Sequence, residues 1–196
     1  EDLWNESLTD SVACLEQYRV LIGVTLKTLG YSMNETDPDI LAQAKEKLMP
    51  LYKNIRTFGD MEAYAAMQSG EASVGFLFTP FASLIMQEFP QYKLVYPKEG
   101  LGFGIDGFVL TAASQNAENA HAFLNYLMDA KVAAHDAEYQ AYMCVNKAAE
   151  AELSDDYWTN PAYNPPEEML KNAEYVMNIG DAESAYADIY AAFKLQ

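Results

Sequence analysis

The stretch Tyr96–Leu110, YPKEGLGFGIDGFVL, carries the densest set of conformational instructions in the chain. It opens at the end of a short apolar run over 93–96 that reads as a strand, and Pro97 turns the chain. Gly100, Gly102 and Gly104 follow at two-residue spacing, and glycine allows backbone conformations and close approaches that side chains block. The stretch ends in a second β-type run over 108–112, with one carboxylate, Asp106, at its entrance. A lone carboxylate beside bare backbone is a place for a cationic ligand to sit. Gly102-Phe-Gly104-Ile-Asp-Gly107 also matches the GxGxxG pattern of dinucleotide sites. That motif works only where the glycines open a helix, and here they lead into FVLTA, so a glycine-rich hinge is the better reading.

Working outward, the flanking chain alternates short apolar strands with helices, the pattern of an α/β architecture with a largely parallel sheet. On the N-terminal side, residues 11–15 form a short apolar run, and RVLIGVTLKTL over 19–29 reads as a buried helix closed by Gly30. Asp37 caps a helix with Pro38 at its first position, and apolar residues at helical spacing carry it to Lys53. Residues 55–58 read as a strand, 61–69 as a helix stopped by Gly70, 72–78 as a buried strand, and 81–88 as a helix started by Thr79-Pro80. On the C-terminal side, helices are expected over 116–129, 131–140, 146–153, 154–158 with Ser154 as cap, 166–178 and 181–194.

Composition excludes several classes. With 51% apolar and 13% aromatic residues the chain is that of a folded globular protein. A formal charge of −17 sets it against nucleic acid and anionic membrane surfaces and inclines it towards cationic small molecules. No apolar run reaches the roughly 18 residues of a membrane span. The chain starts Glu1-Asp2-Leu3-Trp4, which is neither a signal peptide nor a lipobox, so any targeting segment lies outside it. Cys14 and Cys144 fit no metal site or redox motif and read as two free, buried thiols.

Catalytic chemistry has little to stand on. His121 and His135 are the only histidines, both on alanine-rich helical stretches, and no serine or cysteine lies in a nucleophile motif. The carboxylate pairs Asp155-Asp156 and Glu167-Glu168 sit at helix starts, where negative charge is favourable in any case. Of the aromatics near the glycine stretch, Phe78 stands out, because it follows a strand and precedes a helix. Ligands in open α/β sheets bind at that end of the strands. The chain is therefore read as a binding protein, not an enzyme, with no metal and no cofactor.

Several segments together resemble the polyamine-binding solute receptors of bacterial ABC transporters, the spermidine/putrescine-binding proteins. They are DLW at 2–4, LKTLGYSMNETDP at 26–38, GEASVGF at 70–76, VYPKEG at 95–100 with Asp106 beyond it, NAENAHAFLNYLMDAKVAA at 116–134 and KNAEYVMNIG at 171–180. The resemblance implies a periplasmic-binding-protein-like (type II) α/β lobe with a partial second lobe. Residues 1–104 and 151–196 would build the family's second lobe, and 105–150 would be the returning segment of the first, whose main body lies outside this chain. It is thus expected to be a C-terminal portion of such a receptor, with crossings near Gly104–Asp106 and Glu150.

The resemblance also implies how a ligand is held. Carboxylates pair with each ammonium of the amine, and flat aromatic faces hold its methylenes. Asp106 matches the family aspartate that binds an amine, and Phe78 replaces a family tryptophan. The first position of a family acidic pair falls on Gln17, with Glu16 beside it, and the second falls on Val20. Gly104 stands where the family has another tryptophan, and Val176 where it has a glutamine. Two charges and one aromatic wall are therefore reduced, which puts a smaller or less charged amine, or a different cationic solute, level with spermidine. The expected role is extracytoplasmic capture of a polyamine-like cation for an ABC permease. The alternative is an isolated lobe acting as an interaction module, dimerising through its exposed face.

Overall fold

A computed structural model describes all residues, 1–196, and divides the chain into two compact units. The first comprises Glu1–Gly104 and Glu167–Gln196, and the second Ile105–Pro166.

The first unit is built on strand β1 (Val12–Cys14), whose residues are fully buried. A continuous apolar run suits a central parallel strand covered on both faces. Helix α1 (Tyr18–Thr28) follows it, and the chain then leaves through Gly30, at φ 84°, where Tyr31 N–H bonds back to the Leu26 carbonyl at 3.1 Å. Helix α2 (Pro38–Leu48) starts as the sequence predicts, with Asp37 Oδ1 accepting from Asp39 N at 2.8 Å and Ile40 N at 3.3 Å. It stops five residues short of Lys53, and residues Met49–Asn54 tighten into a 3₁₀ turn. Pro50 explains the change, since it removes an α-helical donor and its ring crowds the preceding turn.

Strand β2 (Ile55–Phe58), helix α3 (Asp60–Ser69), strand β3 (Val74–Phe76) and helix α4 (Thr79–Glu88) complete the layers. The strand order is β2-β1-β3, all parallel, with Cys14 opposite both Phe58 and Phe76. Side-chain alternation along β1 divides the core. Cys14 points into a cluster with Leu21, Ile22, Leu26, Leu41, Leu48 and Phe193, while Ala13 points into one with Ala63, Met67, Ala72 and Ile85. Strand β3 is shorter and more open than the sequence suggests, because it is an edge strand and the chain has left the sheet before Leu77.

Beyond α4, residues 93–96 form no strand, and the extended pairing falls instead on β4 (Gly102–Phe103). The second unit then contains helices α5 (Ala117–Leu127), α6 (Ala130–Gln140) and α7 (Asp155–Thr159), with a 3₁₀ turn at Lys147–Ala149 in place of the helix expected over 146–153. Ser154 caps α7 through Tyr157 N at 3.2 Å, as its position predicts. Buried Tyr157 ties the unit together: its hydroxyl accepts from Cys144 N at 2.7 Å and donates to the Tyr142 carbonyl at 3.1 Å. Glu138 accepts from Ser154 N at 2.7 Å, so residues 151–166 group with 105–150. The run 108–112 is not a strand: the second unit holds no strand to pair with it, and Phe108 and Val109 are 75% and 88% exposed. Helix α5 likewise buries no residue.

The returning chain forms a four-residue helix, α8 (Glu167–Leu170), strand β5 (Glu174–Tyr175) and helix α9 (Glu183–Lys194). The helix expected over 166–178 is thus mostly absent, because β5 pairs with β4 in parallel, Gly102 opposite Glu174 and Phe103 opposite Tyr175. Both cysteines are free, Cys14 buried and Cys144 half-buried. No helix is long and apolar enough to cross a membrane.

Candidate functional site

The three parallel strands of the first unit end side by side, and each leads into a helix. β1 runs through Glu16 and Gln17 into α1, β2 through Gly59 into α3, and β3 through Leu77 and Phe78 into α4. Leu15 N–H still bonds to the Phe76 carbonyl at 2.9 Å, so the loops that carry Glu16, Gln17 and Phe78 start as neighbours. This is the carboxyl end of an open sheet, where side chains on successive loops converge and helix N-termini supply partial positive charge.

Gln17 is the N-cap of α1, exposed and without a capping hydrogen bond from its side chain. Phe78 is half-buried and belongs to neither core cluster, so its ring is held against the protein without being consumed by it. Glu16 is exposed but engaged: its Oε1 accepts from Lys194 Nζ at 3.0 Å and from the Tyr190 hydroxyl at 3.4 Å. Lys194 Nζ lies 3.8 Å from the centre of the Phe58 ring, at the end of β2. Gly104 is exposed, and a Cβ added there would meet nothing within 4 Å. Asp106 lies in the second unit, exposed and without a hydrogen bond or ion pair. Val20 is half-buried on α1, and Val176 uses its N–H to bond the Phe103 carbonyl at 2.9 Å.

One acidic residue at this edge escaped the sequence reading. Asp60, the first residue of α3, has its Oδ1 buried without a hydrogen-bond partner. Burial pushes its carboxyl above the ordinary aspartate range, and the nearby charges of Glu62 and Glu16 push in the same direction. The rule that singled out Phe78 after β3 applies equally to the residue after Gly59, so the signal was present at the end of β2.

Helices on both faces of a parallel sheet, with acidic and aromatic side chains gathered where the strands end, define a ligand-binding α/β lobe of the periplasmic-binding-protein type. The chain belongs to the family of bacterial extracellular solute-binding proteins, whose family model matches residues 4–165. It is 30% identical over 193 residues to spermidine/putrescine-binding periplasmic protein 1 of Haemophilus influenzae, covering 98% of this chain and 54% of that protein. Identity to the spermidine/putrescine-binding periplasmic protein of Escherichia coli is also 30% over 193 residues, with 98% and 56% covered. Among solved structures, a putative spermidine/putrescine ABC transporter from Listeria monocytogenes superposes with a TM-score of 0.88 at 28% identity, covering 98% of this chain and 60% of that one. The spermidine/putrescine ABC transporter substrate-binding protein PotD from Streptococcus pneumoniae, solved with calcium and HEPES, gives 0.82 at 27% identity, with 99% and 60% covered. The chain thus spans a little over half the length of these curated relatives.

Proposed function

We propose that this chain is the solute-binding part of an extracytoplasmic receptor for an ABC importer, and that its solute is a polyamine-like amine. The observation that carries the reading is that Glu16, Gln17, Asp60 and Phe78 all follow strand ends at the carboxyl edge of one parallel sheet. Carboxylates and an amide there would take ammonium groups, and the ring would cover methylenes and add cation–π attraction. By the family resemblance Asp106 would also pair with an amine, and Gly104 leaves open space where the family has a larger ring. The names of the relatives, spermidine and putrescine binders, support the same ligand class. The reduced charge relative to the family puts the diamine level with the triamine. Binding would act through a shift in conformational population rather than through chemistry.

Calorimetric titration with putrescine and spermidine tests this. A saturable heat at one amine per chain is expected, weakened by about tenfold or more in Asp106→Asn, the usual cost of losing a charge-assisted hydrogen bond. Phe78→Ala is expected to weaken it about fivefold. No saturable heat with either amine would overturn the reading.

A second reading, an interaction module that dimerises through an exposed face, is favoured by one observation: Phe108, Val109 and α5 present apolar surface that nothing in their unit covers. The same titration separates the two, since a one-to-one amine complex of this chain removes the need for the module.

A further inference from the structure

Lys194, the last residue of α9, places its ammonium in a setting that an amine receptor would build for its ligand. Nζ is 3.0 Å from Glu16 Oε1 and 3.8 Å from the centre of the Phe58 ring, and the Tyr190 ring is 5.9 Å away. The Tyr190 hydroxyl donates to the same Glu16 oxygen at 3.4 Å. One carboxylate and a flat aromatic face with a second ring beside it are the elements of ammonium recognition. The carboxylate and the nearer ring both come from the carboxyl edge of the sheet, since Glu16 follows β1 and Phe58 ends β2.

Stability does not account for this arrangement. The side chains of Lys194 and Glu16 are 34% and 51% exposed, and ion pairs that open to water contribute little to folding. A lysine stem this exposed can swing aside, so the cradle is able to exchange its occupant. The edge also holds a second carboxyl, because Asp60 Oδ1 is buried and unpartnered with Glu62 and Glu16 nearby.

We propose that Lys194 is an internal competitor for the solute, occupying with its own ammonium the cradle of Glu16, Phe58 and Tyr190 that a solute amine would otherwise take. Lys194 is then a specificity-determining residue. While it is seated, the site offers one fewer carboxylate, and a cation with few charges is favoured over one with many. The inference rests on the amine-binding reading above.

The test is putrescine titration followed by NMR, reading the Glu16 side-chain carboxyl and the rings of Phe58, Tyr190 and Phe78. Lys194→Met keeps the apolar stem on the ring and removes the charge, and Lys194→Gln serves as a second variant should the first fail to fold. Removing an exposed ion pair and its ring contact is expected to tighten putrescine binding about three- to tenfold, with new saturable shifts at Glu16, Phe58 and Tyr190. Lys194→Arg should retain the original affinity. Lys53→Met, which removes an equal charge paired with Glu6 elsewhere, should give no gain. The gain should also vanish in a Glu16→Gln background, as coupling through that carboxylate requires. An unchanged or weaker affinity in Lys194→Met, or an equal gain without Glu16, overturns the competitor while saturable shifts at Phe78 still uphold amine binding. No saturable shift at any of these residues, in any of the proteins, overturns both.

Discussion

Replacing Glu174 by glutamine keeps the side chain's shape and removes its charge at the point where the returning chain is anchored to α1. Glu174 Oε1 lies 2.5 Å from Lys27 Nζ, and Oε2 accepts from Ser32 Oγ at 2.5 Å and Met33 N at 3.2 Å. The Lys27 side chain is only 7% exposed, against 29% for Glu174. Losing the carboxylate therefore leaves an ammonium that water cannot easily reach. Breaking a fully buried pair costs about 3–5 kcal/mol, and the partial exposure of Glu174 reduces that to about 2–3 kcal/mol. For a unit of this size the melting temperature should fall by about 6–12 °C. Lys27→Met should cost less than Glu174→Gln, because the orphaned carboxylate keeps Ser32 and the Met33 N–H and can also be hydrated. The two variants thus rank by which partner can find water.

The same pair predicts a pH dependence. Burial alone would raise the Glu174 carboxyl, but the hydrogen bonds from Lys27 and Ser32, the Lys27 charge and the Met33 N–H outweigh it and hold it below its ordinary value of 4.5. A carboxylate lowered on folding contributes stability that is fully present above its unfolded value. That contribution is lost as pH falls through the folded value. The gap in melting temperature between wild type and Glu174→Gln should therefore be full at pH 7 and narrow below about pH 4.5. Thermal denaturation followed by circular dichroism at pH 7 and pH 4 measures it. A gap equal at both pH values, or a larger loss in Lys27→Met than in Glu174→Gln, would refute the assignment of an ion pair whose buried partner is the lysine.

Gly100→Ala should destabilise the same corner by about 2–4 kcal/mol, because Gly100 sits at φ 111° and an added Cβ would run into the backbone carbonyl of Asn172, two residues before β5. The loss, read as a drop in the denaturation midpoint, should come with faster hydrogen exchange at Glu174 N and Val176 N, which bond to Leu101 and Phe103. Thiol titration with a disulfide reagent should count one reactive cysteine in the folded protein and two in denaturant. Burial pushes the Cys14 thiol up to about 12, whereas Cys144 is only half-buried.

What the sequence reveals here divides by how far apart the deciding atoms lie. The Asp37 and Ser154 caps, the Gly30 stop and the α1 and α9 helices are set by residues within a turn of one another, and all were legible. The pairing of β4 with β5 was not, because it joins residues some 70 apart and is held by Glu174 reaching Lys27 and Ser32, farther still along the chain. Residues 108–112 mark the opposite limit. Their apolar, β-branched composition reads as a buried strand, but a strand exists only with a neighbour to bond, and their own unit offers none.

The candidate site obeys the same division. The place of Phe78 between strand and helix is a local fact, and the place of Asp106 at the end of a glycine run is equally local. Asp60 required treating the end of β2 as the same kind of place as the end of β3. Glu16 is the instructive case. By position it is a candidate ligand carboxylate beside Gln17, yet in the folded chain its Oε1 accepts from the ammonium of Lys194, 178 residues away. Whether a carboxylate is available to a ligand depends on every cation that the fold brings within reach of it. A motif can therefore locate a candidate carboxylate without revealing the lysine that the fold pairs with it.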